Sequence, residues 1–204
     1  MSISTTFFRF TFAFSFFFAS FALLAEPTLE EVVVSARKVD ESVQDVPIAM
    51  SVFTSSDISD AGIERPEDFI ALTPNVVMAN TVNVGDTLVT IRGLTSTRDA
   101  ESNFAFVVDG VLQTNPNAFN RELLDIAQIE VLKGPQGALY GRNATSGAIL
   151  ITTKAPSEES ESTAVIGMGV NNASKLQYVN SGKMADNVYT RFSVSTRETD
   201  GEHT

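Results

Sequence analysis

Residues 129–154 have the sequence IEVLKGPQGALYGRNATSGAILITTK, which predicts two strands joined by a glycine-rich loop. The apolar runs 129–132 and 148–153 are rich in β-branched residues, which favour an extended backbone. Glycine in a loop of this kind is typical of positions that need a positive φ or close approach of two backbones. Four glycines lie among polar residues between the runs: Gly134, Gly137, Gly141 and Gly147.

The glycine-rich loop is either an ordinary strand connection or a phosphate-binding loop. The spacing Gly134-x2-Gly137-x3-Gly141 matches neither G-x-G-x-x-G nor G-x4-G-K-[ST], and no Lys-Ser or Lys-Thr pair closes it. Nucleotide binding is therefore not expected at this loop.

The string IEVLKGPQGALYGRNATSGAI resembles the plug domain of TonB-dependent outer-membrane receptors, around the last strands of that domain. The likeness continues upstream in Ile91-Arg92-Gly93 and in the V-D-G-V of residues 108–111. Small departures at Ala138, Ser146 and Leu150 leave it intact. The resemblance assigns these residues to the plug signature: Ile91, Gly93, Asp109, Gly110, Gly134, Pro135, Gly137, Tyr140, Gly141 and Gly147.

Composition excludes several classes of function. The chain has 204 residues, is 43% hydrophobic and has a formal net charge of −11, so it lacks the basic surface that nucleic-acid binding requires. It has no cysteine, and its one histidine, His203, lies next to the end of the chain. Thiolate nucleophiles, zinc ribbons and Ser-His-Asp sites are thereby removed. The sequence predicts no enzyme activity, no metal site and no cofactor.

Residues 1–25 are predicted to be a signal peptide. The apolar run 10–24 follows Arg9, and as a helix it would span about 22 Å, short of the ~30 Å hydrocarbon core. A secretory signal is therefore favoured over a membrane anchor, with cleavage after Ala25 or, alternatively, after Ala22.

Residues 26–42 contain three consecutive valines, which favour an extended backbone. Their polar flanks predict no neighbour within the chain with which they could be buried. The segment is either the first strand of the following domain or a strand that adds to the sheet of a partner. It resembles the TonB box of the same receptors, which implies that TonB binds Glu31, Val32, Val33, Val34, Ser35 and Ala36 by β-strand addition.

Residues 43–155 alternate strands with short helices, which predicts an α+β domain with a small mixed β-sheet. Ser56-Asp57 and Pro66 indicate helix starts, and Gly62 indicates a helix end. We expect Phe69, Ile70 and Leu72 to pack inward and residues 121–125 to form one helical turn. The acidic residues near these helix starts are interpreted as solvated first-turn residues rather than a catalytic pair.

After an acidic linker at residues 156–162, the pattern changes to alternation of apolar and more polar residues. Runs of about eight to ten residues with one apolar face fit strands of an outer-membrane β-barrel, although a soluble hairpin layer alternates similarly. Residues 163–204 are therefore expected to hold about three antiparallel strands of a truncated barrel, with the rest of the barrel lying beyond the sequence.

The resemblance implies the N-terminal portion of a receptor in the cell outer membrane, whose plug lies inside the barrel and faces the periplasm. It implies energy-coupled uptake of a ferric siderophore or a similar scarce nutrient, with TonB, the outer membrane and the small-molecule ligand as partners. We expect Arg92, Lys133 and Arg142 to face acidic residues of the barrel wall, the alternative being ordinary surface charge. A second hypothesis is a complete secreted or periplasmic binding module without transport activity.

Overall fold

The computed structural model describes residues 32–35, 38–39, 41–80, 87–96 and 101–200. The predicted signal peptide, Glu31, Ala36 and residues 201–204 lie outside the described residues. The strands are β1 (Val33–Val34), β2 (Glu41–Ser42), β3 (Met50–Thr54), β4 (Val76–Asn80), β5 (Thr87–Ile91), β6 (Leu94–Thr95), β7 (Phe104–Val108), β8 (Val111–Leu112), β9 (Ile126–Lys133), β10 (Gly147–Thr153), β11 (Glu161–Met168), β12 (Ser174–Ala185) and β13 (Val188–Glu198). The helices are α1 (Ser55–Asp60), α2 (Pro66–Ala71) and α3 (Gly137–Tyr140), with a 3-10 helix at Pro116–Asn120.

The centre of the plug domain is a five-stranded mixed sheet in the order β3-β9-β10-β7-β8. The strands β9 and β10 of the 129–154 stretch are antiparallel neighbours, and β10 runs parallel to β7. This arrangement confirms the predicted α+β domain with a mixed sheet. The predicted loop between β9 and β10 contains the short helix α3.

One side of this sheet, here called the helix face, carries the larger core. Ile129 and Val131 of β9 and Ile149 of β10 are fully buried there. Helices α1 and α2 and the small sheet β4-β5-β6 cover it, and Phe119 of the 3-10 helix packs edge-on against Phe69, Phe104 and Phe106. Burial of this many large apolar side chains supplies the main driving force for folding.

The other side, here called the docking face, carries a smaller core around Leu132, Ala148 and Leu150. Residues of one strand alternate between the two faces, so Glu130 and Leu132 share the docking face while Ile129 and Val131 point to the helix face. A glutamate therefore lies in the middle of an otherwise apolar layer.

Two predictions about the helical regions are wrong. Leu72 is 53% exposed at the C-cap of α2, because the next residue, Thr73, takes the inward position and its hydroxyl donates to the Phe69 carbonyl at 2.7 Å. Residues 121–125 are not helical; the helical turn is the 3-10 helix just upstream, where Pro116 supplies the first position and the Asn115 side chain accepts from the Asn117 N–H at 3.0 Å.

The strands β11, β12 and β13 form a separate antiparallel sheet. This confirms the expected antiparallel strands after the plug domain. Strand β11 starts at Glu161, inside the predicted linker 156–162. No helix among the described residues is long and apolar enough to cross a membrane.

Candidate functional site

The N-terminal valines pair within the chain. Strand β1 forms an antiparallel hairpin with β2, and the Val43 N–H donates to the Val32 carbonyl at 3.0 Å. Val34 is 1% exposed. The prediction that the valines have no neighbour within the chain is therefore wrong. Residues 32–35 are called the docked segment below.

The docked segment lies on the docking face and is held there by two side chains of β9. The Ser35 N–H and Oγ donate to Glu130 Oε1 at 3.1 and 3.3 Å. The Gln128 amide donates to the Val33 carbonyl at 3.0 Å and to Glu130 Oε1 at 3.3 Å. Glu130 is 2% exposed. The contact joins residues 95 positions apart, so local sequence could not encode it.

Tyr140, a predicted signature residue at the end of α3, belongs to the same environment. Burial, with the negative charge of Glu130 as a second cause, raises the pKa of Tyr140 to about 12. The phenol is therefore neutral at physiological pH. The ammonium of Lys38 lies 5.8 Å from the centroid of the Tyr140 ring, within the range of a cation–π contact.

A second group of contacts joins the plug domain to β13. Asp125 accepts from Arg191 Nη2 at 2.7 Å and from the Ser193 hydroxyl at 2.6 Å. The side chains of Arg191 and Asp125 are 10% and 9% exposed. The hydrogen bond from Arg191 holds the pKa of Asp125 below its usual value, against the opposing effect of burial.

Glu64 forms a similar but more exposed cluster. Its carboxylate accepts from Lys175 at 2.8 Å and from Arg197 at 2.7 Å, and Glu122 lies 3.7 Å from Lys175. The hydrogen bond from Lys175 is the largest of the effects that lower the pKa of Glu64. In both clusters acids of the plug domain pair with basic side chains of the barrel-like strands, and Glu161 of β11 also lies 3.7 Å from Arg191.

For the three cations predicted to face the barrel wall, the plug domain would supply the positive charge and the barrel the negative charge. The three occupy different environments. Arg92 is exposed, and the Cβ of a residue replacing Gly134 would lie 3.3 Å from its Nη1. Lys133 donates to the Ser51 hydroxyl at 3.0 Å, and burial and then the charge of Arg92 lower its pKa. Arg142 lies 3.5 Å from Glu101 at an exposed position. Arg92 and Lys133 are thus brought together, whereas Arg142 has a partner within the plug domain.

Two signature positions have a clear physical reason. Asp109 and Gly110 both have positive φ and form the turn between β7 and β8, and the Asp109 carboxylate accepts from the Thr153 N–H at 2.8 Å. At Gly147, a Cβ would lie 2.2 Å from the Leu132 carbonyl oxygen, so only glycine permits this pairing of β9 and β10.

The outer face of β11–β13 is apolar. Ile166, Leu176, Tyr178, Phe192 and Val194 are exposed on it, while Ser181 and Val179 of β12 point toward the plug domain and are buried. Among the described residues, no group of His, Cys, Asp or Glu has a geometry that could hold a metal ion.

Sequence reasoning did not identify Glu130, Gln128, Asp125 or the bases of the barrel-like strands as contact residues. The sequence could have pointed to Glu130, because a glutamate inside a buried apolar strand requires a polar partner. It could have pointed to Arg191 as an inward-facing contact residue as well, since Arg191 lies on the polar side of its alternating strand. Neither signal names the partner residue.

The sequence profile described as TonB-dependent Receptor Plug Domain matches residues 42–148. The chain is 31% identical over 132 residues to the pesticin receptor of Yersinia enterocolitica, covering 64% of this chain and 19% of that protein. It is 28% identical over 180 residues to the vitamin B12 transporter of Vibrio vulnificus, covering 85% of this chain and 28% of that protein.

Among solved structures, the ferric yersiniabactin uptake receptor of Yersinia pestis superposes with a TM-score of 0.68 at 26% identity. That match covers 72% of this chain and 24% of the receptor. The chain thus spans less than a third of the length of each of these relatives. The signature, the mixed sheet and these likenesses agree: the chain belongs to the TonB-dependent receptor plug family.

Proposed function

We propose that this chain is the N-terminal portion of a TonB-dependent outer-membrane receptor that takes up a ferric siderophore or a similar scarce nutrient. The observation that carries the proposal is the orientation of β11–β13. Their inner face makes ion pairs with a folded plug domain, and their outer face exposes Ile166, Leu176 and Phe192. An apolar outer face and a polar inner face are what a membrane barrel around a plug requires.

The same observation favours a receptor over a secreted binding module. A water-soluble protein rarely leaves a contiguous apolar face of this kind uncovered. The proposed location is the cell outer membrane, reached through the signal peptide at residues 1–25, with the plug facing the periplasm inside the barrel.

The proposed substrate class draws on the relatives. One is named for vitamin B12 transport and another for uptake of ferric yersiniabactin. Binding and release of such a ligand require no bond chemistry, in keeping with a proposed role as a transport receptor and not an enzyme.

The proposed TonB contact is the segment of Glu31, Val32, Val33, Val34, Ser35 and Ala36. Its three valines favour the extended backbone that strand addition needs, and main-chain hydrogen bonds would supply most of the affinity. Because residues 32–35 are docked on the plug domain, TonB binding requires their release.

Arg92, Lys133 and Arg142 remain proposed contacts to acidic residues of later barrel strands. After burial, the positive charge of Arg92 is the second cause that lowers the pKa of Lys133, so an acidic partner facing both would offset that repulsion. In the whole receptor, Arg92→Glu should loosen plug seating and admit antibiotics that the wild type excludes; unchanged exclusion would refute this role.

The function is tested by uptake of radiolabelled iron, complexed with a panel of siderophores, into cells that carry the whole receptor as their only such transporter. Val33→Pro removes a main-chain donor from the proposed strand and should lower uptake at least about tenfold, with receptor still in the outer membrane. Val33→Thr keeps the N–H and the β-branched shape and should transport normally. Equal uptake by both variants would refute the TonB contact, and recovery of the protein from the periplasm would favour the secreted module.

A further inference from the structure

We propose that Glu130 is the positioning residue that holds the docked segment on the plug domain and so controls its availability to TonB. The TonB part of this inference rests on the proposed function; the docking part does not. Glu130 lies within the stretch that resembles the plug domain, but the resemblance assigns it no role; its role follows from what its carboxylate touches.

Glu130 is a charged side chain at the centre of the mixed sheet. It pairs with Val52 of β3 on one side and with Leu150 of β10 on the other. Its neighbours on the docking face include Leu132 and Leu150, which belong to the smaller core. A carboxylate in such surroundings is costly unless it is hydrogen-bonded.

The docked segment supplies part of this hydrogen bonding. Both the main-chain and side-chain donors of Ser35 point at Glu130 Oε1, and Gln128 links the same oxygen to the Val33 carbonyl. These contacts lie on both sides of the buried Val34. A buried acceptor that loses its donors is left without hydrogen bonds from water as well, so these contacts contribute much of the docking.

The hairpin alone is too small to keep the segment in place. Strands β1 and β2 pair over only two residues each, and an isolated hairpin of any length is marginal in water. The contacts to the plug domain therefore hold residues 32–35 in place, through burial of Val34 and through the hydrogen bonds to Glu130 and Gln128 on either side of it.

Docking and strand addition compete for the same main-chain groups. The Val33 carbonyl and the Ser35 N–H lie on one edge of the segment and are bonded to Gln128 and Glu130. The Val32 carbonyl lies on the other edge and is bonded to the Val43 N–H. A partner strand can add only where an edge is released, so Glu130 opposes TonB binding as long as it holds Ser35.

Glu130→Leu separates docking from folding. Leucine cannot accept from Ser35 or Gln128, but it adds an apolar side chain beside Leu132 and Leu150, so the plug domain should be as stable as the wild type or more so. Glu130→Gln retains an acceptor without the charge and should have a smaller effect. Glu158→Leu, at an exposed glutamate of the linker, is the matched control.

Docking is measured in the whole receptor with a nitroxide spin label on Val33→Cys; residues 1–204 contain no cysteine, and any cysteine in the rest of the receptor is replaced by serine. The ratio of mobile to immobile label should rise about tenfold or more in Glu130→Leu, less in Glu130→Gln, and not at all in Glu158→Leu. Thermal unfolding should not move downward. A label that is as immobile in Glu130→Leu as in the wild type overturns the proposal.

Two further measurements complete the test, one on a second variant and one of TonB affinity. If Glu130→Leu does not fold, Ser35→Pro removes the main-chain donor outside the central sheet and should release the label equally; an immobile label there overturns the proposal. Without the label, Glu130→Leu should bind the TonB C-terminal domain about tenfold more tightly, because less of the segment is sequestered. Release of the label with unchanged TonB binding supports the positioning role and counts against the TonB contact.

Discussion

The five-stranded sheet of the plug domain and the sheet of β11–β13 differ in where their apolar side chains lie. The plug sheet buries apolar residues on both faces, beneath the helices on one side and largely beneath loops and the docked segment on the other. The outer sheet buries polar and charged side chains against the plug and exposes apolar ones, with Ile166 at 74% and Phe192 at 61%. In the proposed receptor, the outer sheet would face lipid with its apolar side, whereas the plug sheet hides its apolar side chains as a domain folded in water does.

The largest expected effect comes from the same substitution made in both sheets. Ile149→Ala removes a fully buried side chain from the helix face and should lower the free energy of unfolding of the plug domain by about 2–5 kcal/mol. Ile166→Ala changes an exposed position and should cost less than about 0.5 kcal/mol. Denaturant titration of the whole receptor, with plug unfolding followed by a fluorophore, measures both. Similar losses at the two positions would abolish the distinction between the sheets.

A smaller effect is expected where the two regions meet. Arg191→Leu leaves the nearly buried carboxylate of Asp125 without its cation and should destabilise seating of the plug by about 3 kcal/mol. Double substitution of Arg191→Leu with Asp125→Asn should recover much of the loss, because the uncompensated charge is then gone and asparagine tolerates the positive φ of this position. Failure of the double variant to recover would show that the pair contributes through its shape and not through its charge.

The same contact predicts a pH dependence. The pKa of Asp125 is lower in the folded protein than in the unfolded chain, where it is near 3.8. Its stabilisation is therefore present above the unfolded pKa and is lost as the pH falls through the folded pKa. Unfolding of the wild type measured from neutral to acid pH should show this loss. Asp125→Asn should lack that component of the profile, and identical profiles would contradict the assignment.

The smallest effect depends on the surroundings of the outer face. Phe192→Arg should cost about 2 kcal/mol when the receptor is folded into a bilayer, because the charge would face lipid. The same substitution should be nearly neutral if that face is in water. Folding titrations of the whole receptor into vesicles distinguish these outcomes, with Thr196→Arg, at the polar end of the same strand, as a control. No cost at Phe192 would favour the soluble module.

The sequence determined the strands and the turns whose chemistry is local. Alternation and β-branched residues correctly predicted β9, β10 and antiparallel strands after residue 162, although β11 begins two residues earlier than the predicted boundary, because each residue reports the face on which it lies. The Asp109-Gly110 turn could likewise be predicted from sequence, since few residue types adopt the positive φ angles that this turn requires. Gly147 could be recognised as a special position, although only the structure shows that the Leu132 carbonyl leaves no room for a Cβ.

Tertiary structure alone decided which distant groups meet. The docking of Ser35 on Glu130 and the pairing of Asp125 with Arg191 join residues 95 and 66 positions apart. The prediction for Leu72 was wrong for a related reason, since the chain just after α2 turns Thr73 toward the core instead. Local pattern reports the conformation and burial that a residue prefers, whereas a hydrogen bond between remote side chains depends on how the sheet, the hairpin and the outer strands stack in space. The fold was therefore accessible from the order of residues, and the contacts that would control docking and seating of the plug were not.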